Sequence, residues 1–222
     1  MNRKNQIAKN IANIKAQIPD HCKLIVVSKY RPAEEIQSAY DAGQREFAEN
    51  RVQPLLERVA ALPNDIQWHL IGHLQTNKVK FIAPFISMIH SVDSVKLLQE
   101  IDKEAKKNNR IIPCLIQIHV AQEETKFGLS LEEIQPFFQE INQLGLQNTT
   151  VNGLMAMASF TEDQMRIAEE FSQVANAFQE VKSQYYSDEK QFSELSIGMS
   201  SDYGIAIEKG STLIRVGSSV FA

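Results

Sequence analysis

Lys23-Leu24-Ile25-Val26-Val27-Ser28, followed at once by Lys29-Tyr30-Arg31-Pro32, is the stretch on which the reading of the fold turns. The run is short, apolar and rich in β-branched residues, as a strand buried on both faces must be. Pro32 stands where a first helical turn accepts proline, because the missing N–H has no helical partner there. A strand, a polar exit and a helix start make one βα unit. Upstream, Ile7, Ile11, Ile14 and Ile18 recur at spacings of three and four. That puts them on one face of a leading amphipathic helix between Gln6 and Ile18.

Downstream the same alternation repeats. Strands are expected at Glu46-Ala48, Gln67-Ile71, Phe85-His90, Ile112-His119, Thr150-Leu154, Glu194-Ile197 and Thr212-Val216, which with the first makes eight. Helices are expected at 33–42, 51–61, 76–82, 94–107, 131–143, 162–182 and 202–208. Tyr185 to Gln191 reads as a polar loop after the longest helix. Eight βα repeats suit an α/β fold closed as a (β/α)₈ TIM barrel with an extra N-terminal helix, in preference to an open doubly wound sheet. One domain spanning 1–222 is expected, with no interior linker. A parallel barrel gathers its site at the carboxyl ends of its strands. The residues there are Ser28-Lys29-Tyr30, Glu49-Asn50, Gly72-His73, Ser91-Val92-Asp93, Met155, Gly198-Met199-Ser200 and Gly217-Ser218.

Composition narrows the function classes. With 23 Lys+Arg against 27 Asp+Glu and a net charge of −4, nothing draws the chain to nucleic acid or an anionic membrane. An anion site must therefore be local. Cys22 and Cys114 have neither metal-ligand nor disulfide-framework spacing, so no metal is expected and a reducing compartment fits. The N-terminus lacks the continuous apolar stretch of a signal peptide or membrane span, which reads as cytoplasmic.

Lys29, at the end of an apolar strand, is the first chemical candidate. Partial desolvation would favour its neutral amine, which attacks an aldehyde to form a Schiff base. Alone, a strand-end lysine is more simply read as reaching to water. The loops after the seventh and eighth strands strengthen the case. Gly198-Met199-Ser200 and Gly217-Ser218 occupy the usual phosphate pocket of this fold, where glycine lets backbone N–H groups approach an anion and serine adds hydroxyl donors. Ordinary glycine and serine turns are the plain alternative. Arg215, inward-facing near the end of the last strand, needs a partner. A pyridine nitrogen would serve, and a permanent cation beside it would keep that nitrogen unprotonated and weaken the ring as an electron sink. A salt bridge to Glu49 or Asp202 is the alternative. Asn50 and His69 offer hydrogen bonds to ring substituents. His119 reads as a structural hydrogen-bonder, and Met157 and Met199 as core or wall.

Taken together, these residues resemble the pyridoxal 5′-phosphate (PLP) homeostasis proteins of the YggS or PROSC family, related to the N-terminal barrel of alanine racemase. The resemblance is carried by Val26-Val27-Ser28-Lys29, Phe47-Ala48-Glu49-Asn50-Arg51-Val52-Gln53 and Trp68-His69-Leu70-Ile71-Gly72-His73-Leu74-Gln75-Thr76-Asn77-Lys78. It continues through His90-Ser91-Val92-Asp93-Ser94, Lys126-Phe127-Gly128-Leu129, Gly153-Leu154-Met155, Leu195 to Asp202 and Gly210 to Gly217. Two departures are Phe221-Ala222, where the family commonly ends in Phe-Gly, and Ile118-His119-Val120-Ala121-Gln122 in place of a more usual Val-Asn-Ile-Ser. The resemblance implies a PLP carrier with Lys29 as the linking lysine, Ser200, Gly217 and Ser218 on the phosphate, Arg215 near the pyridine nitrogen and Asn50 beside the ring. The cofactor-contact set is thus Lys29, Asn50, His69, Met199, Ser200, Arg215, Gly217 and Ser218, with no catalytic residue assigned.

Function then divides between two classes. The resemblance implies intracellular vitamin B6 homeostasis and amino-acid and keto-acid balance without robust catalysis, in a protein that tends to be monomeric and has PLP-dependent apo-enzymes as recipients. The alternative is a PLP-dependent amino-acid racemase of low activity. Related racemases take a second acid/base, a tyrosine, from a separate C-terminal domain, and none of Tyr30, Tyr40, Tyr185, Tyr186 and Tyr203 occurs in such a domain here. A barrel enzyme that binds a phosphorylated sugar would use the same pocket.

Overall fold

The computed structural model describes residues 2–121, 127–186 and 191–222. Its strands are β1 (Lys23–Val27), β2 (Glu46–Glu49), β3 (Gln67–Leu70), β4 (Met88–Val92), β5 (Ile112–His119), β6 (Thr149–Met157), β7 (Glu194–Ser196) and β8 (Leu213–Val216). They pair in sequence order, all parallel, and β8 pairs back onto β1 through Lys23 with Leu213 and Val26 with Val216, closing the barrel. Closure leaves no strand edge exposed.

The helices are α1 (Arg3–Gln17), α2 (Ala33–Asp41), α3 (Val52–Ala61), α4 (Val79–Ile82), α5 (Val95–Lys107), α6 (Leu131–Gln143), α7 (Gln164–Tyr185) and α8 (Tyr203–Glu208). In α1, the side chains of Ile7, Ile11 and Ile14 are buried as the periodicity requires. The helix lies beside α2 and the residues after β8, where Asn10 donates to Val220 O (3.0 Å) and Arg3 to Ala222 O (2.8 Å).

Strand alternation sorts the core into two parts. Leu24, Val26, Phe47, Trp68, Leu70 and Ile89 face the helices within the large outer core. Ile25, Val27, Ala48, Leu115, Met155 and Leu213 fill a smaller inner one.

Several boundaries differ from those expected. The fourth strand, expected at Phe85-His90, runs Met88–Val92, because Phe85 N and Ile86 N bond back to Ile82 O and close off α4. Ser91 and Val92 are therefore the strand's last residues rather than its exit. The sixth strand, expected to stop at Leu154, continues to Met157, so Met155 is an inward core residue. The helix expected at 76–82 is a 3₁₀ turn (Thr76–Lys78) followed by the single turn of α4. The longest helix starts at Gln164, with the Asp163 carboxylate accepting from Met165 N and Arg166 N, and extends to Tyr185. Of the polar loop expected at Tyr185 to Gln191, residues 187–190 lie outside the described residues, as do Gln122 and Lys126 of the quoted stretches.

Candidate functional site

At the carboxyl ends of the strands a cavity of about 740 Å³ is lined by Lys29, Asn50, Met199, Ser200, Arg215, Gly217 and Ser218 among others. Seven of the eight expected contact residues thus converge from the exits of β1, β2, β7 and β8. Ile71, Gly72, Met157 and Phe160 complete much of its wall. Gly72 lets the β2 and β3 exits close up, since a Cβ there would lie 2.2 Å from Asn50 O. At Gly198 the backbone takes φ +96°, a turn that favours glycine, and Arg215 N donates to Gly198 O at 2.9 Å. This bond ties β8 to the loop after β7.

His69 is the exception, and its expected hydrogen bond to a bound ring is corrected. Trp68 and Leu70 face the helices, so His69 must point inward in mid-strand, and Ile71 takes the place at the rim. His69 is 4% exposed and its Nδ1 lies 2.9 Å from His90 Nε2. Burial, with the charge of Lys23 adding to it, holds the His69 imidazole down to about 4, and His90 also sits well below its ordinary value. The sign of the pH effect follows: unfolded histidine takes a proton below ~6.5, whereas folded His69 resists it to about 4. The stability they contribute is complete above pH ~6.5 and is lost as pH falls through that window. Urea unfolding of the cofactor-free protein should be flat from about pH 7 to 8 and weaken by on the order of 2–3 kcal/mol by about pH 4.5, less so in His69→Gln. A profile that is flat over the whole range would contradict this.

Arg215 is 3% exposed, and its guanidinium donates from Nη1 to Ser196 O (2.6 Å) and Ser196 Oγ (2.7 Å) and from Nη2 to Ala156 O (2.9 Å). Neither expected carboxylate pairs with it. Glu49 instead accepts from Ser28 Oγ at 2.7 Å, and Asp202 from Met199 N, although the charge of Asp202 still favours the cation. Burial lowers Arg215 to about 10, which leaves it charged at neutral pH. A buried cation held by carbonyl oxygens, lining a cavity and with no carboxylate partner among the described residues, is suited to an acceptor from a ligand.

Around the last two loops, Ser200 Oγ accepts from Gly217 N at 3.3 Å and from Ser219 N at 3.4 Å. Both bonds are long for N–H donors to a hydroxyl, and a phosphate oxygen would use them better. Lys29 is exposed at the cavity mouth, so the desolvation expected for it is corrected. The strand ends at Val27 and the lysine stands beyond the packed layer. Tyr30 beside it adopts φ +64° and is 78% exposed. Both cysteines are free and buried, and burial lifts the Cys114 thiol to about 12. Among the described residues no cluster of histidine, cysteine and carboxylate could hold a metal ion, and no helix is long and apolar enough to cross a membrane.

His90 and Ser196, which connect His69 to Arg215, were missed by sequence reasoning. The available signal was the inward parity of each on its strand, together with polar residues where a barrel interior expects apolar ones.

Fold and site together define a parallel (β/α)₈ barrel in which one cavity is lined by a lysine amine, a buried arginine and a pair of loops rich in hydrogen-bond donors. The alanine racemase N-terminal domain family matches residues 3–222. The pyridoxal phosphate homeostasis protein of Aquifex aeolicus is 38% identical over 90% of this chain and 86% of its own length, and that of Escherichia coli 31% identical over 98% and 96%. The structure of PipY from Synechococcus elongatus with PLP bound superposes with a TM-score of 0.86 at 34% identity, covering 97% of this chain and all of that one. The chain belongs to the pyridoxal phosphate homeostasis protein family, built on the alanine racemase N-terminal fold.

Proposed function

We propose that this protein carries PLP, linked covalently through Lys29 Nζ, and maintains the intracellular supply of that cofactor without rapid turnover of its own. The observation that carries the reading is a single cavity bringing together the Lys29 amine, the carboxylate-free Arg215 and the Ser200, Gly217 and Ser218 donors. PLP has the matching parts: an aldehyde for the amine, a phosphate for the loops and a ring nitrogen that accepts a hydrogen bond. When bound, it supplies an electron sink for chemistry at the α-carbon of amines.

The chain's own groups do the rest. Lys29 is the covalent anchor. Ser200, Ser218 and the backbone N–H of Gly217 hold the phosphate, and Asn50 hydrogen-bonds the ring edge while Met199 forms wall. Arg215 donates toward the ring nitrogen, and because it remains a cation it keeps that nitrogen from gaining a proton. This weakens carbanion chemistry and suits storage and delivery better than turnover. In this reading the protein is a cytoplasmic monomer, and apo-enzymes that require PLP are the recipients.

The test is spectroscopic. PLP added to the protein should produce an absorbance band near about 420 nm, borohydride should abolish it, and peptide mapping should then find the reduced adduct on Lys29. Rapid racemisation of L-alanine by the purified protein would overturn the carrier reading.

A further inference from the structure

We propose that His90, Ser196 and His69 are positioning residues for Arg215, forming one hydrogen-bonded chain across the inside of the barrel that fixes the direction of the guanidinium. What Arg215 is positioned for rests on the PLP reading above. The chain itself does not. It links four strands: His69 on β3, His90 on β4, Ser196 on β7 and Arg215 on β8. His69 Nδ1 lies 2.9 Å from His90 Nε2, His90 Nδ1 lies 3.0 Å from Ser196 Oγ, and Arg215 Nη1 donates to that oxygen at 2.7 Å. All four side chains are buried.

Donor bookkeeping fixes the direction of every proton. Guanidinium has no acceptor, so Arg215 donates to Ser196 Oγ. The hydroxyl hydrogen of Ser196 has one acceptor among the described residues, His90 Nδ1. His90 therefore carries its own proton on Nε2 and donates it to His69 Nδ1, and His69 keeps its proton on Nε2. The opposite tautomer of His90 would strand the serine hydrogen in a dry interior, at a cost of roughly 1–3 kcal/mol. Among the described residues, the charges that act on the two rings are those of Lys23 on β1 and Arg215 on β8, both cations, and no carboxylate bonds to either ring. Both rings thus remain neutral, and the chain leaves Arg215 Nε and one Nη2 hydrogen without a protein partner among the described residues. Apolar packing alone gives no reason for polar groups at these inward positions beside Ile25, Leu115 and Leu213. Holding a cation in one orientation does.

Nitrogen NMR of the wild-type histidine side chains without cofactor tests the chain directly. Both rings are expected as neutral Nε2–H tautomers from about pH 5.5 to about pH 8. An Nδ1–H tautomer or a charged ring for His90 in that range overturns the inference. For the link to Arg215, His90→Leu should weaken PLP retention about tenfold and move the pH midpoint of the cofactor absorbance, since the serine hydroxyl loses its acceptor. His90→Gln, whose amide can accept from Ser196 and donate to His69, should restore both to within about threefold. Should His90→Leu not fold, Ser196→Ala breaks the same chain one atom closer to Arg215 and should show the same loss. A folded His90→Leu or Ser196→Ala protein with wild-type spectrum and affinity overturns the positioning role. If the wild type itself formed no cofactor band, the assignment of Lys29 would fall, while the tautomers would still decide this inference.

Discussion

Lys29→Ala protein, treated with PLP and dialysed, is expected to show no absorbance near about 420 nm and no borohydride-stable adduct, while unfolding within about 0.5 kcal/mol of the cofactor-free wild type. The loss is all-or-none because, among the described residues, no other lysine lines the cavity. The fold is indifferent because Lys29 is exposed and its side chain makes no hydrogen bond or ion pair among the described residues; Ser28 and Val27 hold the end of β1. PLP can still settle in the mutant's pocket through phosphate and ring contacts, so dialysis is part of the measurement. A persistent band would move the linkage to another amine.

Arg215→Ala should be costly in both respects. It removes three hydrogen bonds inside the barrel and leaves Ser196 O, Ser196 Oγ and Ala156 O facing a cavity. Burying a guanidinium is itself unfavourable, which offsets part of that loss. A net destabilisation of roughly 2–4 kcal/mol is expected, read as a lower urea midpoint at unchanged slope. PLP retention should fall about tenfold or more, since the ring loses its charged neighbour and the β7 and β8 loops lose the strand geometry that aligns their donors. Arg215→Lys should keep the charge but not the fork, and so recover only part of either effect. Cofactor affinity equal to wild type in the alanine variant would reduce Arg215 to a structural role.

Much of this site was legible one strand exit at a time. Lys29 follows an apolar run, and glycine with serine follows the last two strands, so knowing that a barrel gathers strand ends was enough to bring those residues together. His69 failed for the converse reason. Its polarity suggested a ligand contact, but depth within a barrel depends on where neighbouring strands register, and His69 pairs beside Ala48 and Met88, below the rim. The length of β6 escaped for a similar reason, since its pairing with the distant β5 decides it, whereas the late start of β4 rests on the short-range bonds of Phe85 N and Ile86 N to Ile82 O.

By itself the sequence determined the alternation of strand and helix and the chemistry standing at most strand exits, those of β1, β2, β7 and β8 above all. These depend on side-chain period and residue type, which are properties of short stretches. Only the tertiary structure decided that Arg215 has no carboxylate and is held by Ser196 and Ala156, and that His69 and His90 lie in line behind it. Those contacts join residues on five strands, and the closure and stagger of the whole sheet set their distances.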